Sequence, residues 1–465
     1  MTTTAAVPTR SLRQMPPGPA GHPLLGSLPE FRRGPLQLYL NAARRFGDVV
    51  SIRFGPTRTY FFHHPAHVRH ILQDHARNYG RNVFTNAVLS LLAPDSLITL
   101  DGESWLARRR LAQPAFHRKR IGALAQGMSE SALALAARWR EPAHEGRPLD
   151  MAHEMMRLTL HIAGKTLFGV NVSGEANAIG RAVTEGVQYF AYRSRTVFPL
   201  PLWMPTPRNR RFRAAGRLLD QVVGEIIRQH RSRGEYGEDL LSLLMQAVDD
   251  ETGAHLGDRE LRDEVRSMMG AGHETTANLL TWAFYLLSQH PDAEARMHHE
   301  LDEALAGRPP GFDDLAALPY TRRVLDETLR LYPPAWAMAR TSIEADEVGG
   351  YAIPARAGIT LSAYVTHRRP DFWPEPERFD PDRFTPEQAH ARPAFAYFPF
   401  GGGPRQCIGN VFALTEAVLV LATLAQRFSL RLVPGHPVSP EPLMTLRPRH
   451  GMPMIVLPRN AVGAC

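Results

Sequence analysis

Apolar and polar residues alternate along "GDVVSIRFGPTRTYFFHHP", residues 47–65, on both sides of a Gly-Pro corner. Period-two spacing around a turn predicts a β-hairpin. Before it, "MPPGPAGHPLLGSLPEFRRGP", residues 15–35, is an entry segment punctuated by proline and glycine. From about residue 100 to 345 the apolar positions recur at a 3.6-residue period among Ala, Leu, Arg and Glu, so helices are expected there. Breaks are expected at "PAHEGRP", residues 142–148, and "FPLPLWMPTP", residues 198–207. Strand-like pieces return in "EVGGYAIPARAGITLSAYV", "FSLRLVP" and "PMIVLP". The pattern predicts a mostly α protein with a minor β part.

An irregular stretch over residues 367–406 precedes the last helix. Loops that long are functional or disordered as a rule, and its many aromatics argue against disorder. No Gly/Ser tract, charge block or internal repeat divides the chain, so residues 15–465 read as one unit behind a disordered leader, residues 1–14.

The most apolar helix, "VFALTEAVLVLATLAQRF", contains Glu416, Gln426 and Arg427. It therefore reads as a buried helix, since a span needs roughly 18–20 uninterrupted apolar residues. The leader lacks a signal-peptide pattern, and the only cysteines are Cys407 and Cys465, which excludes a disulfide framework. A cytoplasmic protein is expected. The formal net charge is +8, nearly all of it arginine, since Lys119 and Lys165 are the only lysines. Neither zinc-finger spacing nor an RNA-binding aromatic motif accompanies that charge, so no nucleic-acid partner is expected.

Candidate chemistry centres on "FAYFPFGGGPRQCIGNVFAL", residues 395–414. Gly401, Gly402 and Gly403 allow positive φ and close backbone approach, and a helix opening near Cys407 favours thiolate over thiol. Such a thiolate is a nucleophile or a metal ligand; an inert buried cysteine is the alternative. No papain-like context surrounds it, and Gln406–Cys407 does not supply the Lys-Ser/Thr of a phosphate loop.

Phe400, Gly403, Arg405, Cys407 and Gly409 fit Phe-x-x-Gly-x-Arg-x-Cys-x-Gly. This resembles the haem-binding loop of the cytochrome P-450 family, the haem-thiolate monooxygenases. The resemblance implies a triangular helical prism with haem b between a long distal helix and the cysteine loop. Cys407 would be the iron's axial thiolate, Phe400 would pack beside it, and Arg405 would meet a haem propionate.

"AGHETT", residues 271–276, lies in a long apolar helical pattern that carries Gly270 and Gly272, each costing about 1 kcal/mol there. Read locally, its hydroxyls can bond back to the i−4 carbonyls of a kinked helix. It is similar to the family's oxygen-binding motif, which implies Thr275 as the hydroxyl meeting dioxygen and Glu274 as the acid feeding protons from solvent. His273 fills a variable position as spectator or solvent path. Glu327 and Arg330, at i,i+3 in "LDETLRLYPP", resemble the family's buried Glu-x-x-Arg. The resemblance completes that triad with Arg378 of Pro376–Phe379 and gives it the task of locking the cysteine loop. Trp105 and Arg109 in "WLARRRLAQPAF" match the Trp-x-x-x-Arg pair that contacts propionates, and Arg340 falls where a further propionate arginine often stands. Arginine suits carboxylates because its planar fork binds them bidentately.

By the same resemblance the substrate pocket draws on Phe84, Val88, Leu91, Ala271, Trp336, Met338 and Met444. Their apolar character implies an uncharged lipophilic substrate, such as a terpenoid, fatty acid or polyketide of secondary metabolism. The family's chemistry implies hydroxylation or epoxidation with dioxygen. Electrons would come from NAD(P)H through a separate ferredoxin or flavodoxin and its reductase, docking on Arg108, Arg110, Arg118, Lys119 and Arg120 of a monomer. A haem-thiolate isomerase, dehydratase or peroxide-using enzyme is the alternative, and a haem sensor a third; retention of Glu274 and Thr275 favours the monooxygenase.

Overall fold

The computed structural model describes residues 15–170, 176–196, 199–233, 237, 239–249, 251 and 253–459; the leader and Cys465 lie outside them. The expected hairpin closes as Val49–Phe54 against Thr57–Phe62, with Val49 opposite Phe62 and Phe54 opposite Thr57. Gly55 turns it at φ 60°, the left-handed value that the first corner of a two-residue loop needs. Gly358–Leu361 then pairs parallel to Thr57–Phe62. A parallel pair cannot be closed by a tight turn, so this one joins segments from opposite ends of the chain. Met338–Ser342 and Tyr79–Arg81 complete the five-stranded sheet antiparallel, with Arg81 directly across from Arg340. Further along, the strand-like pieces Phe428–Leu432 and Pro453–Pro458 pair antiparallel.

Helices dominate the rest of the chain, as expected. The longest, Asp258–Gln289, packs on Met151–Phe168, on Pro319–Leu331 and on Asn410–Ala425. Trp282 on it stacks at 4.0 Å on Tyr332 and donates its indole N–H to the Leu446 carbonyl. No helix among the described residues is long and apolar enough to cross a membrane.

Two boundaries differ from expectation. The helix Arg118–Glu145 runs through Pro142 and stops at Gly146, whose φ is 66°. Pro142 gives up the one bond its N–H would have made to the Arg138 carbonyl without ending the helix, and the left-handed glycine is the stop. The helix after the cysteine begins at Asn410, three residues beyond Cys407, with Gly409 as its cap.

Residues 367–406 are ordered by burial. Trp373 is fully buried and donates to the Ala396 carbonyl, and Phe398 is buried beside the five-stranded sheet. Short turns at Pro381–Phe384, Pro386–Ala391 and Gly403–Arg405 carry the chain to Cys407.

Candidate active site

The cysteine loop is shaped by close backbone contacts. Gly403 has φ 65°, and a Cβ there would stand 1.8 Å from the Leu72 carbonyl oxygen, so no other residue fits. A Cβ on Gly402 would strike the Phe395 ring at 2.2 Å. The Cys407 N–H donates to the Phe400 carbonyl at 3.0 Å, which closes the loop and leaves the thiol accessible. Burial of its surroundings pushes the Cys407 thiol up from its ordinary value, while the Gly409 backbone N–H and the Arg109 charge pull it back toward thiolate. Gly409 itself has φ −90° and room for a Cβ, so its part is that N–H rather than conformational freedom. Arg109 donates to the Gln406 carbonyl at 2.9 Å and braces the loop from the helix Gly102–Ala112.

Near this loop lies an excess of positive charge. Arg405 stacks at 4.2 Å on buried Trp105 and pairs with Asp101. Arg340 is buried with Arg81 opposite it in the sheet, and like charges directly opposite are unfavourable. Burial, then Arg405 and Arg340, lower Arg81 to about 9, and burial with Arg405 lowers Arg340 to about 10; Asp101 opposes both shifts. The Arg81 Nε–H is buried with no partner among the described residues. One carboxylate among three guanidiniums leaves charge that a ligand bearing two carboxylates would offset, so these residues fit a haem. The sequence carried no sign of Arg81; only the pairing of its strand with Arg340 reveals it.

On the helix Asp258–Gln289, Ala271 is exposed and Thr275 half-buried, while His273, Glu274 and Thr276 are buried. The Thr275 hydroxyl donates to the Ala271 carbonyl at 2.9 Å, the back-bond that a mid-helix threonine favours. Glu274 Oε1 accepts from the Thr445 hydroxyl at 2.6 Å, and Oε2 is buried with no partner among the described residues. Burial raises the Glu274 carboxyl above its ordinary value, opposed by the Thr445 bond and the Arg447 charge. His273 is fully buried, its Nδ1 2.5 Å from the Met269 carbonyl oxygen, and burial lowers it to about 4. It is a neutral core residue away from solvent.

Glu327 and Arg330 are buried completely and share two hydrogen bonds, of 2.6 and 2.8 Å. The rest of the Arg330 guanidinium reaches the carbonyls of His367, Pro376 and Arg378, so one side chain holds the start of the long loop. The third member is Arg383, not the expected Arg378. The Arg378 side chain points outward to Glu375, both exposed, and only its carbonyl touches Arg330. Arg383 instead lies 3.5 Å from Glu327 and is nearly buried. "PERFDPDRF" contains two Arg-Phe pairs, and the turn Pro381–Phe384 sends the second inward.

The basic patch is smaller than expected. Arg108 is buried and bonded to Glu260, Glu264 and the Asp95 carbonyl, because the long helix meets that face. Arg110 pairs with Asp249 and Glu251. Arg118 and Lys119 are exposed, with Arg120 half-buried.

The pocket residues divide. Val88 is buried, Leu91 and Met444 half-buried, and Phe84 half exposed. Trp336 packs with Tyr39 and Phe61 and donates to the Leu443 carbonyl, the behaviour of a core residue. The Met338 side chain ends beside Gly401 of the cysteine loop, so it supports the loop.

The sequence profile of the family described as Cytochrome P450 matches residues 16–454. Cyclooctatin synthase of Streptomyces melanosporofaciens is 40% identical over 92% of each chain. Cyclooctat-9-en-7-ol 5-monooxygenase of the same organism is 41% identical over 90% of each. Pentalenene oxygenase of Streptomyces avermitilis is 35% identical over 92% of this chain and 94% of its own. A solved structure, the cytochrome P450DA heme domain, superposes with a TM-score of 0.88 at 28% identity, covering 97% of this chain and 99% of that one. With an accessible thiol in a loop of the expected form, and this likeness along nearly its whole length, the chain belongs to the cytochrome P450 family and is a haem-thiolate monooxygenase.

Proposed function

We propose that residues 15–465 form a single domain that hydroxylates or epoxidises an uncharged terpenoid in the cytoplasm as a monomer. A ferredoxin or flavodoxin and its reductase would carry electrons from NAD(P)H. The terpenoid class is supported by the names of the relatives and by the apolar character of Val88, Leu91 and Met444. The observation that carries the reading is an accessible Cys407, supported by the Gly409 N–H and Arg109, together with Thr275 and Glu274 on the long helix.

Cys407 would bind the iron, Phe400, Gly403 and Gly409 shape the loop around it, and Arg405, Arg340 and Arg81 take the propionates over Trp105. Bound haem supplies dioxygen activation, and a thiolate ligand favours O–O cleavage. The protein's part is electrostatic and protonic. The N–H of Gly409 and the charge of Arg109 stabilise the thiolate. Thr275 commits its own hydrogen to Ala271 and so presents oxygen lone pairs as an acceptor. Glu274, held toward its acid form by burial, stores a proton one residue away.

The reduced protein with carbon monoxide should give the strongly red-shifted Soret band of thiolate ligation; a histidine-type spectrum would refute the site. A panel including pentalenene, cyclooctat-9-en-7-ol and fatty acids, read by haem spectral shifts, tests the substrate class. Terpene binding is expected, and a response to fatty acids alone would reject it. For the electron donor, the exposed pair Arg118 and Lys119 is the surviving part of the basic patch. Reduction by an acidic ferredoxin should slow as salt rises, because steering by exposed charge is screened. A rate indifferent to salt and to Arg118→Glu with Lys119→Glu would reject docking there.

A further inference from the structure

Glu274 is held from outside its own helix. The Thr445 hydroxyl bonds to Oε1, and the Thr445 oxygen itself accepts from the Asn278 amide at 3.3 Å. Asn278 stands one turn after Glu274, so all three residues are buried along one edge of the helix Asp258–Gln289. Thr445 sits in the tight connection between the paired strands Pro440–Pro442 and Leu446–Pro448. That connection is pinned on both sides. The Leu443 N–H donates to the carbonyls of Glu441 and Thr445, and the indole N–H groups of Trp336 and Trp282 reach the Leu443 and Leu446 carbonyls. The Leu446 N–H donates to the Pro334 carbonyl. A hydroxyl fixed this firmly sets the orientation of the carboxyl it touches.

We infer that Thr445 is a positioning residue, which with Asn278 anchors Glu274 through Oε1 and leaves Oε2 as the oxygen that gives up and recovers the transferable proton. The inference rests on the reading of Glu274 as the proton-relaying acid. An oxygen that accepts a strong hydrogen bond is the carbonyl oxygen of a carboxylic acid, so the acid's hydrogen resides on the other one. Oε2 is that other oxygen, and it has no partner in the protein among the described residues. A buried polar atom without a partner costs stability, so its retention asks for a use. A charge that acts on Glu274 is Arg447, on the same hairpin, and it is paired with Glu441. It draws the carboxyl toward ionisation without bonding to it.

The competing account is that Thr445 merely sews the hairpin to the helix. Thr445→Val keeps the shape and removes the hydroxyl, whereas Thr445→Ser keeps the hydroxyl. Each holoprotein is assayed with a surrogate ferredoxin and reductase and the terpene of the panel that gives the largest spectral shift. The readouts are product per NADPH, peroxide released, and the ratio of rates in H₂O and D₂O. Thr445→Val should lower product per NADPH about tenfold, raise peroxide and enlarge the solvent isotope effect, since misplacing a reacting group costs rate steeply. Thr445→Ser should restore coupling, and Asn278→Leu, which frees the hydroxyl to turn, should uncouple in the same direction. If Thr445→Val loads no haem, Asn278→Leu decides.

Glu274→Gln separates the two layers of the argument. If Glu274→Gln uncouples turnover while Thr445→Val and Asn278→Leu remain coupled, the positioning role is overturned and the acid's role stands. If Glu274→Gln is itself fully coupled, the reading of Glu274 falls and the inference with it.

Discussion

Glu327→Ala is expected to yield little soluble, haem-loaded protein. The carboxylate is fully buried and takes two hydrogen bonds from Arg330, a third from the Asp380 N–H at 2.9 Å, and faces Arg383. Removing it leaves the Arg330 guanidinium charged at 0% exposure with no ion-pair partner among the described residues. Breaking a buried pair in this way costs about 3–5 kcal/mol. A domain's whole stability is typically about 5–15 kcal/mol, so the loss is a large part of the total. It is also aimed, because Arg330 holds the His367, Pro376 and Arg378 carbonyls, the backbone that leads to Cys407. Replacing both partners by apolar residues, as Glu327→Leu with Arg330→Met, should be milder than Glu327→Ala, since the fully buried Arg330 charge goes too and only Arg383, at the edge of the network, loses its partner. Arg378→Ala should change stability by no more than about 0.5 kcal/mol, as an exposed side chain, and Arg383→Ala by more. Haem content and thermal melting check all four. Normal values for Glu327→Ala would show that the pair does not hold the loop.

That network marks how far the sequence can be read. Glu327 and Arg330 are three residues apart on one helix, so their contact follows from helical geometry alone. The third arginine depends on how a long loop returns, and either arginine of "PERFDPDRF" could have filled the place. Arg108 misleads for a related reason. Within "ARRRL" it looks like solvated charge, but Glu260 and Glu264, some 150 positions later, meet it in the fold. The hairpin at residues 49–62, the long helix and the ordered loop before Cys407 were legible because alternation, periodicity and aromatic content are local properties. Arg81 beside Arg340 and Thr445 beside Glu274 are products of pairing between distant segments, and no spacing records them. Trp336 and Met338 show the same limit for apolar residues: pocket wall and core share one composition.

Thr275→Ala should keep haem, thiolate ligation and substrate binding while sending reducing equivalents into hydrogen peroxide. Inserting one oxygen atom of O₂ and releasing the other as water consumes two electrons and two protons. If the protons arrive at the wrong atom, the same electrons leave as peroxide. On the proposed reading the Thr275 hydroxyl, held by its bond to the Ala271 carbonyl, makes that choice beside the acid Glu274. Positioned proton transfer contributes about 10²–10⁴-fold. Water can occupy the space of a lost hydroxyl, so the fall in product formation should lie toward the ~10² end of that range. Thr275→Ser should recover most of it, since the hydroxyl and its bond to the Ala271 carbonyl can re-form. The measurement is product per NADPH, with peroxide assayed in parallel. Unchanged coupling without added peroxide would mean either that Thr275 does not direct the proton or that a substrate hydroxyl replaces it. Pentalenene, a hydrocarbon, and cyclooctat-9-en-7-ol, an alcohol, separate those cases. Full coupling of Thr275→Ala with the hydrocarbon removes Thr275 from the mechanism. Coupling retained only with the alcohol leaves Thr275 as the residue whose hydroxyl the substrate replaces.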